Sequence, residues 1–208
     1  MKIAIHSKSS LSNLHLNVES QKGWYSRNIP HLDVGETTQF VTFRLADSLP
    51  QQVLEELEDE LKDAKGNSER LRYERIQNFL DRGAGSCILD DPRCAKIVQE
   101  SLKFLDGKKF ELHAWVVMPN HVHFLARFEQ GQSFSGALHS LKSFTAHEIV
   151  KLYPEAKPVW QQESFDRYIR NEEHYSRVVS YIHENPVSAG LCSQASDYRW
   201  SSLSVKNS

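Results

Sequence analysis

Several features that would settle a protein's class at once are missing from this sequence. There are only three cysteines among 208 residues. Cys87, Cys94 and Cys192 are scattered and form no Cys-x-x-Cys pair, which excludes both a disulfide framework and a zinc ribbon. No run of about 18 apolar residues occurs, which excludes a membrane-spanning helix. Met1 to Glu19 has no apolar stretch leading to a small-residue cleavage site, so the expectation is a cytoplasmic protein. A basic excess is missing too: 25 Lys and Arg stand against 27 Asp and Glu, a formal net charge of −2. Proteins that hold nucleic acid by bulk electrostatics are usually basic. Any such contact here has to rest on local clusters and geometry. What remains, 39% hydrophobic residues in a chain of this length, suits one domain with appendages.

Residues 1–37 are polar and irregular, with Gly23-Trp24-Tyr25-Ser26-Arg27 standing ahead of Pro30. The segment reads either as a loosely attached arm or as a clamp whose aromatics stack on nucleic acid. Residues 38–45 alternate and are β-branched, as a strand should be. From Pro50 to about position 82 the chain is helical in pattern and densely charged with both signs, broken near Gly66-Asn67-Ser68. The simplest reading of that insertion is a solvated helical hairpin. Asp91-Pro92 then opens a helix to about Asp106, with Ala95, Ile97, Val98, Leu102 and Leu105 on its buried face.

Two strands follow, at roughly 110–118 and 121–128, joined through Pro119-Asn120. Phe134 to Tyr153 is an amphipathic helix with Leu138, Leu141, Phe144, Ile149 and Leu152 as its apolar stripe. Val159 to Ile169 is extended, and a last helix starts at Asn171 and stops at Pro186. The plan is an α+β, ferredoxin-like βαββαβ antiparallel sheet with helices on one face, a charged helical insertion and a further C-terminal helix.

The hairpin carries the chemistry. Residues 118–123 read Met-Pro-Asn-His-Val-His, and side chains alternate along a strand, so His121 and His123 share one face. Two histidines on a strand are often only its polar face. Here, however, His123 runs straight into Phe124-Leu125-Ala126, which implies buried surroundings, and buried imidazoles need partners. A divalent metal is one such partner. In the last helix Tyr181 and Asn185 lie four residues apart on one face. Alone they would read as a core-edge tyrosine and a capping asparagine.

Together the two motifs resemble a known family. His121-Val122-His123 is similar to the His-hydrophobic-His motif of the HUH endonuclease superfamily. Tyr181-Ile182-His183-Glu184-Asn185-Pro186-Val187 is similar to the tyrosine helix of its single-tyrosine, insertion-sequence transposases. The nearest branch is that of the REP-associated tyrosine transposases. Residues 38–45, 83–92, Trp160-Gln161 with Phe165-Asp166, and 198–202 also resemble it, and the likeness spans about 23–203.

The resemblance implies a transposase that acts on single-stranded DNA folded into hairpins of the repetitive extragenic palindromic type. Tyr181 would be the nucleophile and would form a phosphotyrosine bond. His121, His123 and Asn185 would hold one Mg²⁺ or Mn²⁺. Trp24, Arg27 and Arg199 would touch DNA. Lys142, Arg167, Arg170 and Arg177 are placed by sequence position either as phosphate contacts or as solvated charges. The expected divisions are an arm at 1–37, a nuclease domain at 38–190 with its insertion at about 50–82, and a tail at 191–208. A monomer is favoured over a dimer. Two rivals share the fold: a catalytically silent hairpin-binding protein, and a metal-dependent phosphohydrolase that releases product without any protein–DNA linkage.

Overall fold

The computed structural model describes residues 37–49, 68–83, 85–129 and 131–205, with isolated positions between 52 and 59. Trp24, Arg27 and the expected helix start at Pro50 lie outside the described residues. Four strands form one antiparallel sheet: β1 (Thr37–Arg44), β2 (Glu111–Val117), β3 (His121–Phe128) and β4 (Phe165–Tyr168). Their order is β2-β3-β1-β4, the arrangement that a βαββαβ chain adopts. β1 and β3 are central, and the register sets Thr42 opposite His123 and Arg44 opposite His121.

Alternation along β1 and β3 divides the core between two faces. Val41, Phe43, Val122, Phe124 and Ala126 point to one, where they meet α2 (Pro92–Leu105) and α3 (Phe134–Leu152). Phe40, Leu125, Val116 and Met118 point to the other. That second face is covered by α4 (Glu172–Ser188), through Val178 and Ile182, and by Tyr73 of α1 (Ser68–Asp81). The two helices of the ferredoxin-like plan therefore share one face, as expected, while the C-terminal helix and the end of the charged insertion close the opposite one.

Local signals account for the helix ends. Asp91 caps α2 by accepting from the Arg93 amide, with Pro92 at its first position. Ser133 caps α3 and Asn171 caps α4 in the same way. The stripe of α3 runs through Leu138, Leu141, Thr145 and Ile149, all buried. At about 100° per residue Phe144 falls well off that line, and it is 57% exposed, with Leu152 exposed as well. The polar Thr145 fits the buried stripe because the Trp160 indole donates to its hydroxyl at 2.9 Å.

Two expectations need correcting. Strand β4 covers only Phe165–Tyr168; before it the chain meets the end of β1 in an isolated bridge of Trp160 with Leu45, and the carbonyls of residues 161 and 162 accept from Lys142. Nor does α4 stop at Pro186; it continues to Ser188. Proline removes only one backbone donor. The helix instead ends where Gly190 takes φ +74°, with Leu191 N donating to the Pro186 carbonyl in a Schellman closure.

The ammonium of Lys142 donates to the Gln161 and Gln162 carbonyls and to the Ser164 hydroxyl, at 2.7, 3.0 and 3.1 Å. Burial pulls its pKa down to about 8, so it remains charged at neutral pH. All three protons are committed to the 161–164 segment, which makes Lys142 a pin between α3 and β4 and not a phosphate contact. Lys142→Met should cost about 2 kcal/mol of stability, read by chemical denaturation.

Residues 191–205 dock on the outer edge of β2. Val117 N donates to Trp200 O at 2.8 Å, and the Tyr198 hydroxyl donates to the Val117 carbonyl at 2.9 Å. An edge strand that would otherwise expose open hydrogen-bonding groups is thereby covered. Among the described residues no helix is long and apolar enough to cross a membrane.

Candidate active site

The hairpin places both histidines on the face covered by α1 and α4, fully buried. Each Nδ1 is occupied by a neighbour. His121 Nδ1 lies 2.7 Å from Asn120 Oδ1, and His123 Nδ1 lies 2.7 Å from the Thr42 hydroxyl. The Asn120 amide nitrogen donates to the Leu80 carbonyl, so its oxygen is the end that faces His121. His121 must then carry its proton on Nδ1, which leaves a lone pair on Nε2. The two Nε2 atoms face each other at 3.0 Å.

Burial pulls the His121 pKa down to about 3. Burial, and then His121 itself, push His123 well below the usual histidine range. Both rings are therefore neutral at pH 7, the form that binds a metal. Thr42 across the ladder orients His123 as an outer hydrogen-bond partner does in metal sites. Thr42→Val should lower divalent-metal affinity about tenfold to a hundredfold, measured by calorimetric Mn²⁺ titration.

Two helices bring oxygen donors to the pair. Asp81, at the end of α1, sets Oδ1 3.7 Å from His121 Nε2. Ligand atoms of Asp81, His121 and His123 all lie within 4.8 Å of one another. Asn185 of α4 is buried and donates Nδ2 to Asp81 Oδ1 at 3.4 Å, while its own Oδ1 is buried without a hydrogen-bond partner. A buried acceptor with no donor, beside two neutral imidazoles whose Nε2 atoms converge and a carboxylate, fits a divalent cation. Burial raises the Asp81 pKa to about 6, against the lowering effect of the Asn185 hydrogen bond. It is mostly ionised at neutral pH.

Asp81 was not among the residues expected from sequence. The signal was present but weak. Tyr73, Gln77 and Asp81 are spaced four apart, on one face of α1. That face points at the site instead of at solvent.

Tyr181 stands at the same place. Its hydroxyl lies 3.5 Å from His123 Nε2 and donates to Gln77 Oε1 at 3.4 Å. The ring packs edge-on against Phe40 and tilted over His123. Burial, followed by Tyr73 and Asp81, raises its pKa well above the ordinary value, so the resting phenol is protonated. Tyr175 points elsewhere, against His113.

The expected DNA contacts separate into groups. Arg167, Arg170 and Arg177 converge on His174, whose pKa is pulled down to about 4 by burial first and then by Arg167, Arg177 and Arg170. Arg177 also pairs with Glu173 at 2.7 Å. Arg199 lies over the Trp200 ring, 4.9 Å from its centre, in the C-terminal segment.

Comparison with known proteins agrees with this geometry. Residues 88–185 match the family described as Transposase IS200 like. A REP-associated tyrosine transposase of Escherichia coli (strain K12) is 32% identical over 103 residues, which is 49% of this chain. The chain spans 59% of that relative's length. A solved REP-associated tyrosine transposase bound to a REP hairpin has the same fold. It superposes with a TM-score of 0.55 at 21% identity, covering 90% of this chain and 84% of that one. The stretch that matches the IS200-like transposase family thus holds both histidines, the tyrosine and Asn185.

Proposed function

We propose that this protein is a cytoplasmic, divalent-metal-dependent enzyme that nicks and rejoins single-stranded DNA at hairpins of the repetitive palindromic type. The observation that carries this reading is the 3.5 Å between the Tyr181 hydroxyl and His123 Nε2. Nucleophile and metal donors share one buried site, an arrangement that neither hairpin binding nor water-driven hydrolysis calls for. The relatives, whose names specify tyrosine transposases and a REP hairpin, support the substrate class.

His121 and His123 would hold the ion through Nε2, with Asp81 and Asn185 Oδ1 as oxygen donors. Two nitrogens and two oxygens without a thiolate suit an exchangeable Mg²⁺ or Mn²⁺ better than structural zinc. When bound, such an ion polarises a non-bridging oxygen of the scissile phosphate and offsets the charge that builds on it. Gln77 and Phe40 hold the Tyr181 hydroxyl and ring beside the histidines. Tyr181 Oη bonds to phosphorus while the bond from phosphorus to the 3′ oxygen breaks. The phenol loses a proton and the 3′ oxygen gains one. One phosphodiester is exchanged for another, so rejoining needs no nucleotide cofactor.

Tyr181 reaches the histidines of its own chain, which supports a monomer acting in cis. Residues 38–190 form the nuclease domain on this reading, and Arg167, Arg170, Arg177 and Arg199 offer phosphate contacts. The test is a denaturing gel with a labelled hairpin-bearing strand and Mn²⁺ or Mg²⁺. A fragment linked to the protein through its 5′ phosphate is expected, and free fragments without any adduct would instead establish a phosphohydrolase.

A further inference from the structure

A cleft opens beside the reaction centre between α1, β1 and the 161–165 segment, and neither the metal nor the nucleophile uses it. Arg44, Arg72, Thr42, Gln77, Ser164 and Glu163 are among its lining residues. It begins where the active site ends. Thr42 on its wall bonds His123, and Gln77 bonds the Tyr181 hydroxyl. Its floor is the Tyr73 ring stacked on Phe165, 3.8 Å between centres.

We infer that this cleft seats one phosphodiester of the single DNA strand that flanks the scissile phosphate, with Arg72 as its principal donor. The inference rests on the proposed function and adds a binding site to it. Arg72 carries the argument. Its Nε is buried, and it makes no hydrogen bond or ion pair among the described residues. A buried guanidinium donor without an acceptor is costly in the empty protein and is relieved by an anion. Arg44 joins it on the wall, steadied by a bond from its guanidinium to the Ser48 hydroxyl at 3.0 Å. Two planar donor forks with a serine hydroxyl alongside match the acceptor-only oxygens of a phosphodiester. Glu163 is the opposing charge, a carboxylate at the exposed rim.

The role also explains why α1 is attached to this fold. Along one helix, Arg72 faces the flanking strand, Gln77 the nucleophile and Asp81 the metal donors.

The test uses the full chain in EDTA, so that binding is read without cleavage. Fluorescence anisotropy compares a blunt hairpin with hairpins bearing a single-stranded arm on the 5′ or the 3′ side. Arg72→Gln is expected to weaken one armed hairpin about tenfold while leaving the blunt one unchanged. The salt slope for that armed hairpin should fall by about 0.7, the value of one lost single-strand phosphate contact. Arg72→Lys should keep the slope and lose only part of the affinity, which guards against a folding artefact. Glu163→Gln should tighten the same armed hairpin.

Equal weakening of armed and blunt hairpins by Arg72→Gln, or no weakening of either, would overturn the subsite alone. Failure of the wild-type protein to bind any hairpin would overturn the functional reading and the subsite with it.

Discussion

Tyr181→Phe is expected to abolish the covalent protein–DNA adduct and to lower strand cleavage on the order of 10⁴-fold or more. The substitution removes one oxygen and nothing else. The ring keeps its packing on Phe40 and His123, and α4 keeps Val178 and Ile182 against the sheet. Stability should therefore change little, and hairpin affinity measured in EDTA should stay at the wild-type level. Tyr175→Phe supplies the control, since that ring packs against His113, and it should cleave normally. Adduct formed by the Tyr181→Phe protein would remove Tyr181 from its role. Loss of hairpin binding together with cleavage would point to a structural part for the hydroxyl, through Gln77, instead of a chemical one.

Asp81→Asn should move stability and activity in opposite directions. The folded pKa of about 6 lies above the 3.8 of an ordinary aspartate, so folding without metal disfavours the ionised carboxylate. Between those two values the folded chain binds more protons than the unfolded chain, and stability falls as pH rises through that window. At pH 7 the full penalty, about 2–3 kcal/mol, is in force. Asparagine has no charge to bury and still accepts from Asn185. The metal-free variant should therefore be more stable by about that amount at pH 7, with a flat profile between pH 4 and 6 in chemical denaturation. Its affinity for Mn²⁺ should drop at least about tenfold, with cleavage recovered only at high metal concentration. Unchanged Mn²⁺ affinity would leave Asn185 as the sole oxygen donor.

How far the site could be read from sequence depended on how local each contribution was. The His-Val-His strand, the Asp91-Pro92 start and the Asn171 cap are encoded within a few residues of where they act, and each stands where its sequence put it. Asp81 is different. It lies 40 positions before His121 and reaches the imidazoles only because α1 folds across the sheet. A helix reveals a buried face when that face is apolar, whereas α1 presents Tyr73, Gln77 and Asp81 to a polar site and so reads as solvated. Phe144 fails in the reverse sense, an apolar residue lying outside the line that Thr145 holds with the help of Trp160. Pro186 misled because the rule for the residue before a proline describes a tendency, and the closure at Gly190 outweighed it.

The docking of the C-terminal segment on β2 has a bearing on strand exchange. Helix α4 is capped at Asn171, closed at Gly190, and tied midway where His183 Nε2 meets the Ser202 hydroxyl at 2.9 Å. Ser202 in turn holds the Trp115 amide of β2. The helix that would carry DNA covalently is thus riveted to the sheet on which the histidines stand. On the proposed reaction, the captured 5′ end would be held as if in a vice for the lifetime of the phosphotyrosine bond. Choice between resealing and transfer would then fall to whichever free 3′ end arrives, with the nucleic acid, not the protein, as the moving part.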